Sequence, residues 1–266
     1  MAWTKTYDGE EPQRVNKWLA QSGVCSRREA EALIADGLVT IDGETVEDVG
    51  RKILKGQTLV LADRASRQLD SQITVLINKP VGIVSAQPEG EQVPAARLLR
   101  RENLALPASR TAGVVMPGSK TSLAPLGRLD QDSRGLLILS EDGVLAKAVI
   151  GPESAIDKEY VVAVRGRIDR EKISKLRHGL ELDGRALKPA KVRQEDTQVL
   201  RFTLVEGRNR QIRRMCELVD LDVVDLCRVR VGPVELGDLP EGKWRPMTGA
   251  ERISIISAAN SPARNA

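Results

Sequence analysis

The chain has 266 residues, enough for one large domain and a small one. With 41% hydrophobic and 29% charged residues and no apolar stretch near the ~20 residues of a membrane span, its composition excludes a membrane helix and a disordered chain. Three scattered cysteines (Cys25, Cys216, Cys227) exclude a disulfide scaffold, and a net charge of +4 is modest enough that its distribution says more than its total.

Residues 1–5 lack the apolar core of a secretory signal, so a reducing cytoplasm is the expected compartment. Val15, Trp18 and Leu19 recur at helical spacing and Gly23 stops that helix. Ser26 then opens a second helix with Glu29 three residues on, a capping box, and Ala30, Leu33 and Ile34 form its apolar face. Val39 and Ile41 alternate into a hairpin turned by Asp42-Gly43. Arg14, Lys17, Arg27 and Arg28 stand at the starts of the two helices, where cations oppose the helix dipole, so a phosphate partner is the better reason for them. Tyr7 is assigned to an N-terminal tail, and residues 62–72 are polar and aperiodic, which predicts a linker.

A strand over 73–77 runs into Asn78-Lys79-Pro80, and a long basic loop follows over 86–125 with room for a short helix near 95–101. Between Val93 and Thr121 it carries Arg97, Arg100, Arg101, Arg110 and Lys120 against Glu102 alone. The segment 113–121 imitates a phosphate-binding loop, but a residue intervenes between its second glycine and the lysine and Pro117 lacks an N–H, so it is read as a plain loop. Gly127 and Gly135 then bracket a polar turn holding Asp130, Asp132 and Ser133 before the apolar run 136–139 of a buried strand. The pattern alone leaves two readings of Asp130, a self-bonded turn or a site carboxylate at a strand mouth. Further on the spacing predicts a helix over 144–150, a strand over 160–164 and a helix over 170–177 capped by His178. A strand at 199–205 and a helix at 209–219 with Ile212, Met215, Cys216 and Val219 inward follow. Closing strands at 223–231 and 234–236 lead to a last helix capped by Thr248 and Glu251, and residues 257–266 are expected to fray. By itself the pattern supports an α+β protein.

With one histidine, no His triad or His-rich metal site can be built, and no Cys-x-x-Cys, Gly-x-Ser-x-Gly or Gly-x-Gly-x-x-Gly motif is present. Residues 14–43 closely resemble the S4 RNA-binding module. Three further blocks are Gly127-Arg128-Leu129-Asp130, Lys158-Glu159-Tyr160, and the arginine-rich Glu206-Gly207-Arg208-Asn209-Arg210-Gln211-Ile212-Arg213-Arg214-Met215. In this order, behind the S4-like module and Asn78-Lys79-Pro80, they resemble the RNA pseudouridine synthases of the RsuA/RluF family over residues 12–252, most nearly the F-type large-subunit branch.

The resemblance implies an S4-like domain at 12–61, a linker at 62–72 and a catalytic domain at 73–256 with a mixed, largely antiparallel sheet flanked by helices. It implies conversion of uridine to pseudouridine in ribosomal RNA, of the large subunit, without cofactor or metal, by a monomer with no membrane attachment. Asp130 would be the catalytic aspartate, Tyr160 would lie on the target base, and Arg213 would be the salt-bridge partner of Asp130. A burial that closes over a base disfavours an ionised carboxyl, so such a cation is needed. Arg128 would fill the space left by the extruded uridine, and Lys79, Arg208, Arg210 and Arg214 would join the four N-terminal cations in holding RNA. Two other classes compete: a non-catalytic RNA-binding or ribosome-assembly protein, and the same chemistry on small-subunit or transfer RNA. An ATP-using RNA enzyme built on the Gly118 loop is disfavoured by that loop's spacing.

Overall fold

The computed structural model describes residues 3–106, 114–118 and 121–261. Arg110, Lys120 and part of the 113–121 loop lie outside the described residues, as do residues 262–266. The chain divides into two units, residues 1–73 with 140–147, and residues 74–139 with 148–266.

In the first unit, β1 (Trp3–Thr6) and β2 (Gln13–Arg14) lead to α1 (Val15–Gln21) and α2 (Arg27–Ala35). The strands β3 (Val39–Ile41), β4 (Glu44–Thr45), β5 (Lys52–Ile53) and β6 (Thr58–Leu61) follow. The capping box is present: the Ser26 hydroxyl accepts from the Glu29 N–H and the Glu29 carboxylate accepts from the Ser26 N–H. Asp42 and Gly43 both take positive φ, 50° and 87°, as a two-residue hairpin turn requires. The sheet order is β1-β6-β3-β4. Two expectations fail here. Tyr7 is a core residue, packed edge-on against Trp18 with ring centroids 5.5 Å apart, because β1 pairs antiparallel with β6 and draws the N-terminal segment into the sheet. The stretch 62–72 contains a helix, α3 (Asp63–Asp70), anchored by the buried Ala65.

The second unit is built on a nine-stranded sheet. Its strands are β7 (Thr74–Lys79), β8 (Ala124–Pro125), β9 (Arg134–Ser140), β10 (Lys158–Arg165), β13 (Lys191–Asp196), β14 (Val199–Leu204), β15 (Asp222–Val231), β16 (Val234–Glu235) and β17 (Trp244–Pro246). A separate hairpin, β11 (Glu181–Leu182) and β12 (Arg185–Ala186), turns on Asp183 and Gly184, both at positive φ. The helix α4 (Gly143–Ile150) straddles the division of the chain at 147/148, and the second unit's own helices are α5 (Arg170–Arg177, capped by Asp169 and ended at His178), α6 (Gln211–Glu217) and α7 (Gly249–Asn260). The main path runs β13-β14-β10-β15-β9-β7-β17. Its pairs β13/β14, β14/β10, β10/β15 and β7/β17 are antiparallel, whereas β9 and β15 are parallel. Phe202, Leu200, Val162, Met215 and Cys216 form the core beneath α5 and α6. The helix α7 continues past Ser257, held by its Thr248–Glu251 capping box, so the fraying expected from 257 does not begin there.

The parallel pair decides where chemistry can sit. Arg134 faces Cys227 and Gly135 faces Arg228, so the turn before β9 lies against the middle of β15 rather than at the sheet's edge. Gly135 has φ +102°, and a Cβ there would stand 2.3 Å from the Arg228 carbonyl oxygen, an approach only glycine permits. The basic loop after β7 is less irregular than expected: 3-10 turns at Ala95–Leu98 and Arg101–Asn103 are fastened by Trp244, whose indole N–H donates to the Arg100 carbonyl at 2.8 Å.

Candidate active site

Asp130 lies on the turn between β8 and β9, and that turn is tied down on several sides. The Ser85 hydroxyl donates to the Leu129 carbonyl at 2.6 Å and accepts from the Leu129 N–H at 2.8 Å. From below, the Arg228 guanidinium donates to the carbonyls of Leu136 (2.7 Å) and Gly127 (2.9 Å), and stands 3.5 Å from that of Arg128. Arg228 is only 1% exposed. An arginine between Leu226 and Val231 of a predicted buried strand is the sequence signal for it, and reasoning from motifs alone passes it over.

The turn forms one wall of a cleft of about 430 Å³ lined by Arg128, Asp130, Lys158, Tyr160, Arg208, Arg210, Arg213 and Arg228 among others. Asp130 and Tyr160, far apart in sequence, are therefore brought to one cavity. Asp130 is 38% exposed in its side chain, and its nearest cation is Arg210, at 3.7 Å. Tyr160 is half-buried at the edge of the α5–α6 core and is paired in the sheet with Phe202 and Arg228.

The expected Arg213–Asp130 salt bridge is not formed. Arg213 donates through Nη2 to the Asp132 carbonyl (2.8 Å) and the Ser133 hydroxyl (3.3 Å), and its Nε stands 3.4 Å from the Asp132 carboxylate. Arg210 takes that same carboxylate through both its terminal nitrogens, at 3.1 and 2.9 Å. The physical reason is the turn itself: Asp132 points to the start of α6, and the guanidiniums there meet it before Asp130. Burial raises the Asp132 pKa, but the Arg210 hydrogen bonds and the Arg213 charge outweigh it and hold the carboxyl below its usual value. Arg210 itself has φ 48°, a left-handed backbone at the mouth of the cleft.

Lys79 does not face RNA. It is 0% exposed, and its ammonium donates to the carbonyls of Pro80 (2.8 Å) and Ile83 (2.6 Å), closing the turn after β7. Burial pushes its pKa down to about 8 against the pull of Asp132 and Asp130. Lys158 is likewise buried in the cleft wall, donating to the carbonyls of Val149 (3.1 Å) and Ile156 (2.9 Å), and burial together with the Arg228 charge lowers it to about 8.

Arg208 and Arg214 are occupied within the protein. Arg208 donates to the carbonyls of Leu182 (2.9 Å), Arg185 (3.1 Å) and Ala186 (2.7 Å), and Arg214 clasps the Asp183 carboxylate at 3.0 and 2.6 Å. Both brace the β11–β12 hairpin. Arg128 is exposed at the cleft rim, and among the described residues it has no side-chain partner. In the first unit Arg14, Lys17, Arg27 and Arg28 are exposed, again with no side-chain hydrogen bond or ion pair among the described residues. No group of three or more metal-ligating side chains occurs among the described residues, and no helix there is long and apolar enough to cross a membrane. Cys25, Cys216 and Cys227 are free and buried, and burial pushes the first two thiols up to about 12.

The profile of the RNA pseudouridylate synthase family matches residues 73–218, and that of the S4 domain matches residues 13–59. The dual-specificity RNA pseudouridine synthase RluF of Salmonella typhi is 36% identical over 245 residues, covering 91% of this chain and 78% of that protein. The ribosomal large subunit pseudouridine synthase B of Bacillus subtilis is 31% identical over 260 residues, covering 96% and 99%. A crystal structure of a pseudouridylate synthase shares the fold, with a TM-score of 0.60 at 24% identity over 91% of this chain and 99% of that one.

Proposed function

The chain belongs to the RNA pseudouridine synthase family, in its S4-bearing RsuA/RluF branch, and from that premise we propose that it isomerises a uridine of large-subunit ribosomal RNA with Asp130 as the acting group. The reaction balances without a co-reactant. The N1–C1′ bond breaks, the uracil turns, C5 bonds to C1′, C5 loses a proton and N1 gains one.

The observation that carries this reading is the meeting of Asp130 and Tyr160 in one cleft whose ~430 Å³ lies within the ~300–1,000 Å³ of small-molecule sites. A carboxylate serves there as nucleophile or proton acceptor, and it needs a fixed direction and a cation nearby. The clamp by Arg228 and Ser85 supplies the direction, and Arg210 supplies the charge. The Tyr160 ring offers a stacking face for an extruded base and its hydroxyl a proton relay at C5. Arg128, exposed and free to move, enters the gap the uridine leaves. In the S4 domain, Arg14, Lys17, Arg27 and Arg28 hold phosphates of a structured RNA. Large-subunit RNA is favoured by the Bacillus relative's name.

Asp130→Asn is the test. It should abolish pseudouridine formation while RNA binding stays within about threefold of wild type, a change well below the tenfold that 1.4 kcal/mol represents. Turnover by that variant at more than a few per cent of the wild-type rate overturns the assignment. Mapping pseudouridines in ribosomal RNA from cells lacking the protein identifies the target, with one large-subunit position expected to revert to uridine.

A further inference from the structure

The arginine that stands nearest Asp130 is not held by Asp130. Arg210 gives both terminal nitrogens to Asp132, at 3.1 and 2.9 Å, and only its Nη1 comes within 3.7 Å of the Asp130 carboxylate. Asp132 also stands 3.4 Å from Nε of Arg213, whose second contact with the same residue is through the backbone carbonyl at 2.8 Å. One carboxylate therefore collects two guanidiniums at the wall of the cleft. Arg213 is almost fully buried and braced by Ser133, whereas Arg210 is 42% exposed and begins a helix from a left-handed backbone, with no side-chain cap of its own. Apart from Asp132 and Asp130, no carboxylate among the described residues lies within ion-pair distance of Arg210.

We propose that Asp132 is a positioning residue for the isomerisation: it fixes the Arg210 guanidinium by a two-point contact at the distance from Asp130 that the chemistry uses. The inference rests on Asp130 being the acting group. Bidentate pairing fixes both the plane and the distance of a guanidinium, which a single contact does not. Without Asp132, Arg210 is free to close on Asp130 as a direct ion pair or to swing out to an RNA phosphate. In the first case it blocks the carboxylate, and in the second it withdraws the charge. Both outcomes slow the chemical step. Neither weakens RNA binding, because removing an anion from the rim lowers the repulsion that a polyanion meets.

The experiment uses the full chain with a substrate RNA carrying the target uridine. Asp132→Asn should lower kcat tenfold or more, with KM unchanged or reduced and the melting temperature within a few degrees of wild type, since the side chain is 46% exposed. Asp132→Glu, which can still span two nitrogens, should recover most of that loss. Arg210→Gln should lower kcat at least as far as Asp132→Asn. A purely structural role would move the melting temperature, and a purely RNA-contacting role would move KM. The proposal is overturned if Asp132→Asn keeps the wild-type kcat, if its effect is confined to KM, if Asp132→Glu is as slow as Asp132→Asn, or if Arg210→Gln is as fast as wild type. Asp130→Asn separates the two levels: if it is inactive while Asp132→Asn turns over normally, only the positioning role fails. If Asp130→Asn remains active, the site assignment beneath it fails as well.

Discussion

Arg228 brings a full charge into a space where, among the described residues, it meets no carboxylate at ion-pair distance. Carbonyl dipoles of Leu136 and Gly127 take its place, so the residue links the turn before β9 to the strand that the turn feeds. Arg228→Met removes those donors from buried acceptors, each worth about 1–3 kcal/mol when left unsatisfied. A fall of roughly 3 kcal/mol in denaturant unfolding is expected, with kcat reduced more than KM in the protein that remains folded. Gly135→Ala attacks the same junction from the other strand, because its Cβ would meet the Arg228 backbone and its φ is +102°. Strain and overpacking of this kind cost about 1–3 kcal/mol each, so a drop in melting temperature of several degrees checks it. The arginine pairing shows what sequence can reveal at this scale. That Asp130, Tyr160 and Arg213 line one cleft is legible because their blocks are specific. Which carboxylate each arginine meets is decided by a turn in which residues two apart point differently, and no spacing rule reports that. Lys79 escapes a sequence reading for a related reason: a lone lysine at a strand end looks like surface until the next turn folds over it.

At the scale of elements, β13, β14, β10 and β15 are joined by a run of alternating charges. Arg201 on β14 reaches Glu195 on β13 (2.6 Å) and Glu159 on β10 (2.5 Å), while Arg230 on β15 reaches Glu159 (3.1 Å) and Asp157 just before β10 (2.8 Å). Glu159 stands between two guanidiniums. Burial raises its pKa, but the hydrogen bonds from Arg201 and Arg230 outweigh this and leave it below the usual glutamate value. A carboxylate depressed on folding gives stability that is present above its unfolded value of 4.5 and lost as pH falls through the folded one. Glu159→Gln should therefore cost about 1 kcal/mol at pH 7 and progressively less as pH falls below 4.5, as read by denaturant midpoints. The buried lysines act in the opposite pH range. Lys79 and Lys158 fall from 10.5 to about 8 on folding, so between those values the unfolded chain holds protons that the folded chain has released. The stability they contribute is lowest below pH 8 and rises toward pH 10.5. That upward slope should flatten in Lys79→Met. Elements whose signals are local are legible: both capping boxes, the Asp42-Gly43 hairpin and the apolar face of α6. The β11–β12 hairpin carries the same Asp-Gly signal, but its strands are two residues each, too short to show alternation. β1 and β17 cannot be read, since each is a short strand whose identity depends on a partner distant in the chain.

At the scale of the whole molecule, exposed charge steers a protein toward RNA. Arg14, Lys17, Arg27 and Arg28 are exposed cations whose side chains no carboxylate claims among the described residues, unlike Arg208, Arg210 and Arg214. Replacing the four with glutamine should reduce the slope of log affinity against log salt by about 0.7–0.9 for each phosphate that goes unneutralised, leaving the rate at saturating RNA near wild type. Equal salt slopes in filter-binding titrations would show that these side chains do not meet phosphates. The parallel joining of β9 to β15 has a temporal meaning too. A ribosome making this protein releases the Asp130 turn long before Arg228, the side chain that grips it from beneath. Until that later strand emerges the turn has no floor, and pairings between distant segments are the slow ones to form. Nascent chains halted short of β15 should therefore be catalytically silent, so the enzyme cannot begin to modify RNA while it is itself still being translated through that point.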